Sequence, residues 1–174
     1  MDPKYLDPQL IIEIFRKNVS AHYYDTKGRV SRPEFWMFVA GCVVVGLAAS
    51  IVGSIFAYGG LLGAVVQLLL LLPLAGLGAR RIQDTGKSGT LVWLAALPIG
   101  LNLILTIWGY VAWTAAYGWS GGYYFWYGPS GLIGLVGLVA GIYVAYLCAQ
   151  PGTAGPNAFG PEPSKPEAPT AKPA

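Results

Sequence analysis

Apolar positions in this chain run together in four long blocks instead of alternating with polar ones. Phe35–Ala57, Leu61–Ala79, Leu91–Trp113 and Leu132–Ala149 contain no Asp, Glu, Lys, Arg or His. Each is near the ~20 residues that a helix needs to cross a hydrocarbon core. The pattern predicts an all-α membrane protein: a four-helix transmembrane bundle with spans at about 35–57, 61–79, 91–113 and 132–149. Residues 1–34 form an N-terminal segment, residues 35–149 the membrane domain, and residues 150–174 a Gly/Pro-rich segment and tail. Pro73 and Pro98 lie inside the second and third blocks, where a missing N–H should bend or locally open the helix.

Before the first block the period changes. In "QLIIEIFRKN", Leu10, Ile11, Ile14 and Phe15 share one helical face, with Glu13, Arg16 and Lys17 on the other. This predicts a short amphipathic helix, lying on the membrane surface or packed on the ends of the bundle. Asp7 is its expected N-cap, with Pro8 at the first helical position. Ser31 followed by Glu34 matches a capping box that opens the first span. After Gln150, Leu, Ile and Val are absent, and from about Pro161 "PEPSKPEAPTAKPA" has nothing with which to build a core, so a disordered Pro-rich tail is expected.

Composition agrees. Of 174 residues, 55% are hydrophobic and only 11% charged, against about a quarter charged in soluble domains. The few cations lie in three places. Lys4, Arg16, Lys17, Lys27, Arg29 and Arg32 precede the first span; Arg80, Arg81 and Lys87 lie between the second and third; Lys165 and Lys172 lie in the tail. Basic flanks stay cytoplasmic, and four spans put these three segments on one side. Both termini are therefore expected in the cytoplasm, with the N-terminus retained and the first span acting as an uncleaved insertion signal. Trp36 and Trp93 then mark the inner interface. "YGWSGGYYFWYGPSG" marks the outer one as an aromatic belt, with a ligand or partner platform as the alternative.

Small residues supply the close packing that membrane helices need. The first span carries Gly46, Ser50, Gly53 and Ala57 on one face, and the fourth carries Gly134, Gly137, Gly141 and Ala145. Packing within the bundle is the simpler use of these stripes and a homodimer seam the alternative.

Most chemistry is excluded by what is missing. "TGKS" at Thr85–Ser88 lacks the P-loop glycine, since Arg81 occupies that position, and a membrane helix precedes it. His22 is the only histidine. Cys42 and Cys148 alone make a poor zinc site and are expected to be buried packing residues. No metal, cofactor or nucleic-acid partner is expected. Ser50, Ser54, Gln67, Asn102 and Thr106 are the polar residues within the spans, and none has an ionisable partner at its depth. The remaining concentration of chemistry is Arg29, Arg32, Glu34, Arg80, Arg81, Asp84, Lys87 and Ser88. Two uses are open for it: a polar clasp that also sets topology, with Glu34 and Asp84 each pairing an Arg, or a site for an anionic lipid headgroup or phosphorylated metabolite. Gly86 and Gly89 permit a tight turn, with Ser88 or Thr90 capping the third helix.

Three blocks resemble the bacterial membrane family called domain of unknown function 805. "YYDTKGRVSRPEFWMF" is similar to its G-R-x-x-R-x-E-[FY]-W motif through Gly28, Arg29, Arg32, Glu34, Phe35 and Trp36. "LPLAGLGARRIQDTGKSG" resembles its R-R-L-H-D-x-x-x-S-[GA]-W loop, ending at Gly89. "PGTAGPNAFGPEP" resembles its closing segment through Asn157 and Gly160. Gln83 stands where the family has His, Thr90-Leu91 follow where it has Trp, and Ala158 replaces a frequent basic residue. The resemblance implies a small inner-membrane protein with four spans and no known reaction. Its three blocks are expected to form one surface, with the "NAFG" turn folded over Arg29, Arg32, Glu34, Arg80, Arg81 and Asp84. The expected function is non-enzymatic binding of membrane lipids or a protein partner, or homo-oligomeric assembly, through the cytoplasmic face. A small oligomeric transporter or channel is the alternative. In a third option, a lipid-headgroup enzyme, Asp84 and Glu34 would be the only acid–base groups.

Overall fold

The computed structural model describes residues 7–55, 61–117 and 127–164. Among the described residues five α-helices follow one another: α1 Pro8–Ser20, α2 Arg32–Ile55, α3 Leu61–Asp84, α4 Trp93–Tyr117 and α5 Tyr127–Ala149. Among the described residues there is no strand, only an isolated antiparallel bridge between Asn157 and Gly160. The last four helices are long and apolar enough to cross a membrane. The expected short link after the first apolar block (within residues 56–60), the aromatic segment 118–126 and the tail from 165 onward lie outside the described residues.

α3 runs beyond its apolar block, through Arg80 and Arg81 to Asp84. It stops in a Schellman arrangement, in which Gly86 N–H donates to the Gln83 carbonyl and Lys87 N–H to that of Ile82. This turn needs a residue with positive φ just past the helix, and Gly86 has φ 79°. A short 3-10 turn, Gly89–Val92, then leads into α4, with the Ser88 hydroxyl accepting from Thr90 N–H. The stretch Arg80–Gly89 is thus half the end of a helix, Arg80 to Asp84, and half the turn that follows it. Gly89 lets the turn press on α3: a Cβ there would lie 3.0 Å from the Ala79 carbonyl oxygen and 2.8 Å from Gln83 Nε2.

Each long helix packs chiefly on its sequence neighbour. The start of α2, the end of α3, the start of α4 and the end of α5 meet at one end of the bundle, called here the charged end. α1 lies there against α2 and α3. Asp7 caps it, accepting from Gln9 N–H at 2.9 Å, and Leu10, Ile14 and Asn18 are its buried side chains. Phe15 stacks on Phe38 with centroids 5.5 Å apart. That contact depends on Gly41, whose added Cβ would lie 2.7 Å from the Phe15 ring.

The main buried apolar cluster is also at this end, built from residues such as Phe35, Phe38, Leu77, Ile82, Val92 and Leu147. Further along, the helices meet through small residues. Gly46 faces Gln67, and Gly63 leaves room for Ser50 of α2; Gly53 is buried. On α5, Gly134 faces Asn102, whereas Gly137 and Gly141 face Ile99 of α4. The polar side chains at these depths turn to main-chain carbonyls: Ser50 to Gly46, Ser54 to Ser50, Asn102 to Ser130 and Thr106 to Asn102.

Both prolines lie inside continuous helices. Pro73 has no N–H to offer the Leu69 carbonyl one turn before it. The Tyr23 hydroxyl, on the connection between α1 and α2, donates to that carbonyl at 2.6 Å. The connection also lies close along α3, where a Cβ on Gly76 would come within 3.0 Å of the Asp25 carbonyl oxygen.

Candidate functional site

Arg29, Arg81 and Asp84 form a closed ionic cluster at the charged end. Gly28, with φ 93°, turns the chain so that Arg29 points inward, and α3 carries Arg81 and Asp84 one turn apart. Arg29 Nη2 lies 2.8 Å from Asp84 Oδ1, and Arg81 pairs with Asp84 Oδ2. The side chains are 1%, 1% and 5% exposed for Arg29, Arg81 and Asp84 respectively. One carboxylate serves two guanidinium groups, so main-chain carbonyls must take up the other donors.

Those carbonyls come mostly from the chain after α5. Arg29 donates to Thr153 at 2.6 Å, Gly155 at 2.6 Å and Gly160 at 3.3 Å. Arg81 donates to Cys148 at 2.8 Å, to Gln150, and to Val30 at 3.4 Å. Thr153 N–H and its hydroxyl donate to the Asp84 carbonyl, at 2.8 Å and 3.1 Å. Asn157 donates to the Gln83 carbonyl at 3.0 Å and to the Thr153 hydroxyl at 2.8 Å. Its own side-chain oxygen accepts from Phe159 N–H. The turn closes with Gly160 at φ 136°, and Gly155 N–H donates to Glu162 at 2.8 Å. Gly152 passes directly over the Asp84 carboxylate, where a Cβ has no room. Residues 150–162 are thereby strapped across the helix ends.

The structure divides the other predicted residues. Phe35 is buried and meets Trp36 edge-on at 5.2 Å. Gly89, Asn157 and Gly160 serve the turns just described. Glu34 pairs with no arginine: its carboxylate lies 3.5 Å from Lys17 of α1. Only half of the capping box forms, with Glu34 N–H 3.5 Å from the Ser31 hydroxyl. Arg32, Lys87 and Ser88 are exposed outside the cluster. Arg80 faces away from it, toward α1, where its Nη2 donates to Asn18 Oδ1 at 3.0 Å.

Asn18, Thr153, Gly152 and Tyr23 are the participants that pattern reasoning passed over. Asn18 continues the Leu10–Ile14 stripe at the next turn, so its spacing was a signal; Thr153 and Gly152 had none outside the motif. Cys148 is buried and Cys42 half-buried, both as free thiols. Among the described residues no three His, Cys, Asp or Glu side chains converge.

As a chemical device, the cluster engages its own polar groups. Its carboxylate is held by two arginines, and its guanidinium donors are engaged by main chain. The outcome is a shaped surface, with Ala154, Pro156, Ala158 and Pro161 exposed on it.

Neither the curated proteins nor the solved structures contain a match to this chain. A family model does match, over residues 23–161, which takes in the α1–α2 connection, the four long helices and the strap. With four membrane-spanning helices and that match, the chain is a multi-pass membrane protein and belongs to the family described as protein of unknown function DUF805.

Proposed function

We propose that this is a non-catalytic protein of the bacterial inner membrane, with both termini cytoplasmic, whose strapped C-terminal segment is a docking platform for a protein partner. The observation that carries the reading is the use of Arg29 and Arg81. Beyond their pairing with Asp84, their donors go to main-chain carbonyls, so the cluster builds a surface instead of lining a pocket. Asp84 and Glu34 are already engaged by cations, which leaves neither poised as an acid or base. Ser50, Ser54 and Thr106, bonded to carbonyls of their own helices, and Asn102, bonded to that of Ser130 in α5, weigh against a lined transport path. Orientation follows from the basic residues around α1, α3 and the tail.

A single cysteine at Ala158, in a chain with Cys42→Ala and Cys148→Ala, tests both parts. A membrane-impermeant maleimide should label it in inverted vesicles and not in intact cells. A photo-crosslinker at the same position should give one discrete protein adduct, which disappears with Asp84→Asn. Labelling of intact cells would overturn the orientation, and no adduct at all would overturn the docking role.

A further inference from the structure

Arg80 and Arg81 are adjacent in sequence and opposite in circumstance. Arg81 has Asp84. Arg80 is only 8% exposed, yet among the described residues it forms no ion pair. Its one hydrogen bond is to the neutral amide of Asn18, and its Nε is buried with no acceptor. Asn18 is itself fully buried and donates its own nitrogen to the Ile14 carbonyl. The carboxylates of Asp25 and Glu34 act on Arg80 only through space. Both are engaged elsewhere: Glu34 with Lys17, and Asp25 with His22 at 3.5 Å and the Lys27 N–H at 3.1 Å.

A buried guanidinium without a counter-charge is strongly unfavourable. Its place in the fold points to what would supply one. Arg80 follows directly on the apolar block that ends at Ala79, so it lies where hydrocarbon gives way to headgroups. The exposed Lys17 of α1 pairs with Glu34, one of the carboxylates that act on Arg80 through space, and so brings a second cation to this part of the surface.

We infer that Arg80, at the junction of α1, the α1–α2 connection and α3, binds a phosphate group, that of an anionic phospholipid at the charged end of the bundle. The phosphate accepts from the Arg80 guanidinium beside Asn18, with Lys17 at the rim. The Arg29–Arg81–Asp84 cluster takes no part, because its guanidinium donors are already engaged by Asp84 and by main-chain carbonyls. This assignment is independent of the docking platform.

The test uses the full chain in nanodiscs of phosphatidylcholine with a minor share of phosphatidylglycerol, followed by native mass spectrometry. Wild type should retain one phosphatidylglycerol. Arg80→Gln should lower that occupancy by at least about ten-fold, the loss expected for a charge-assisted hydrogen bond, and Lys87→Gln should leave it unchanged. Asn18→Asp is the second variant. It gives Arg80 an internal carboxylate, so it should expel the lipid while keeping or raising thermal stability. It therefore remains informative if Arg80→Gln does not fold. Inorganic phosphate in lipid-free detergent separates the two sources. Stabilisation of wild type by millimolar phosphate, absent in Asn18→Asp and without selective phosphatidylglycerol retention, would keep the phosphate site and overturn its assignment to a lipid. Equal phosphatidylglycerol retention in wild type, Arg80→Gln and Asn18→Asp, with no phosphate response, would overturn the site.

Discussion

The two ends of the bundle are held by different physics. At the charged end, a buried apolar cluster surrounds buried arginines, and the segments before α2 and after α5 close over it. Toward the other end the helices touch through Gly46, Gly63, Ser50, Gly134 and Gly137, and large side chains such as Ile51, Ile55, Leu69, Leu132 and Leu135 face outward. The reason lies in the solvent. Lipid gives helices no hydrophobic reason to associate, so close van der Waals approach takes over there. At the charged end water is near, and both apolar burial and ionic pairing contribute. One chain thus combines a membrane-style seam with a soluble-style cap.

Three substitutions would break or sharpen this contrast. Asp84→Asn strikes the cap hardest. It leaves Arg29 and Arg81 buried with no shared counter-charge, and removing one partner of a buried ionic group costs ~3–5 kcal/mol. Thermal unfolding in mild detergent should shift down by a matching amount. The amide hydrogens of Thr153 and Asn157 should also lose their exchange protection as the strap lifts. Retained protection at those two amides would mean that the strap is held by something other than the cluster.

Gly63→Val strikes the seam. Its Cβ would run into the Ser50 side chain and lie 3.3 Å from the Ser50 Cα, so α2 and α3 must separate. Overpacking of this kind costs about 2 kcal/mol. The melting temperature should fall while Thr153 and Asn157 stay protected, because neither Gly63 nor Ser50 is among the strap's hydrogen-bond partners. A loss of strap protection in this variant would show that the two ends are coupled.

Tyr23→Phe is the mildest. It removes the donor that answers the Leu69 carbonyl above Pro73, a loss of about 1 kcal/mol. Faster amide exchange in α3 around Pro73, with the rest of the bundle unchanged, is the expected signature. Unchanged exchange there would mean that water or a neighbouring helix serves that carbonyl as well as the hydroxyl does.

Much of the fold was legible because its signals are local. Four uncharged blocks of membrane length, the Asp7 cap with Pro8, the Gly86 turn and the small-residue faces of α2 and α5 each follow from residues close together in the chain. The site was legible only in part. Arg29, Arg81, Asp84 and Asn157 stand in recognisable motifs, but the motifs did not distinguish Arg80 from Arg81. They paired Glu34 with an arginine, where the fold brings Lys17 of α1 to it.

What the sequence alone determined is therefore the number of long apolar helices, the place of the charges along the chain and the membership of the family. These depend on hydrophobicity and spacing, which act within a segment. Only the tertiary structure decided which carbonyls quench Arg29 and Arg81, that Tyr23 replaces the bond Pro73 lacks, and that Arg80 turns toward Asn18 and away from Asp84. Adjacent helical residues point about 100° apart, so two neighbouring arginines enter different surroundings. Arg80 meets Asn18 of α1, whereas Arg81, besides Asp84 one turn on, meets the carbonyls of Val30, Cys148 and Gln150, and all of these but Asp84 are more than fifty residues distant in the chain.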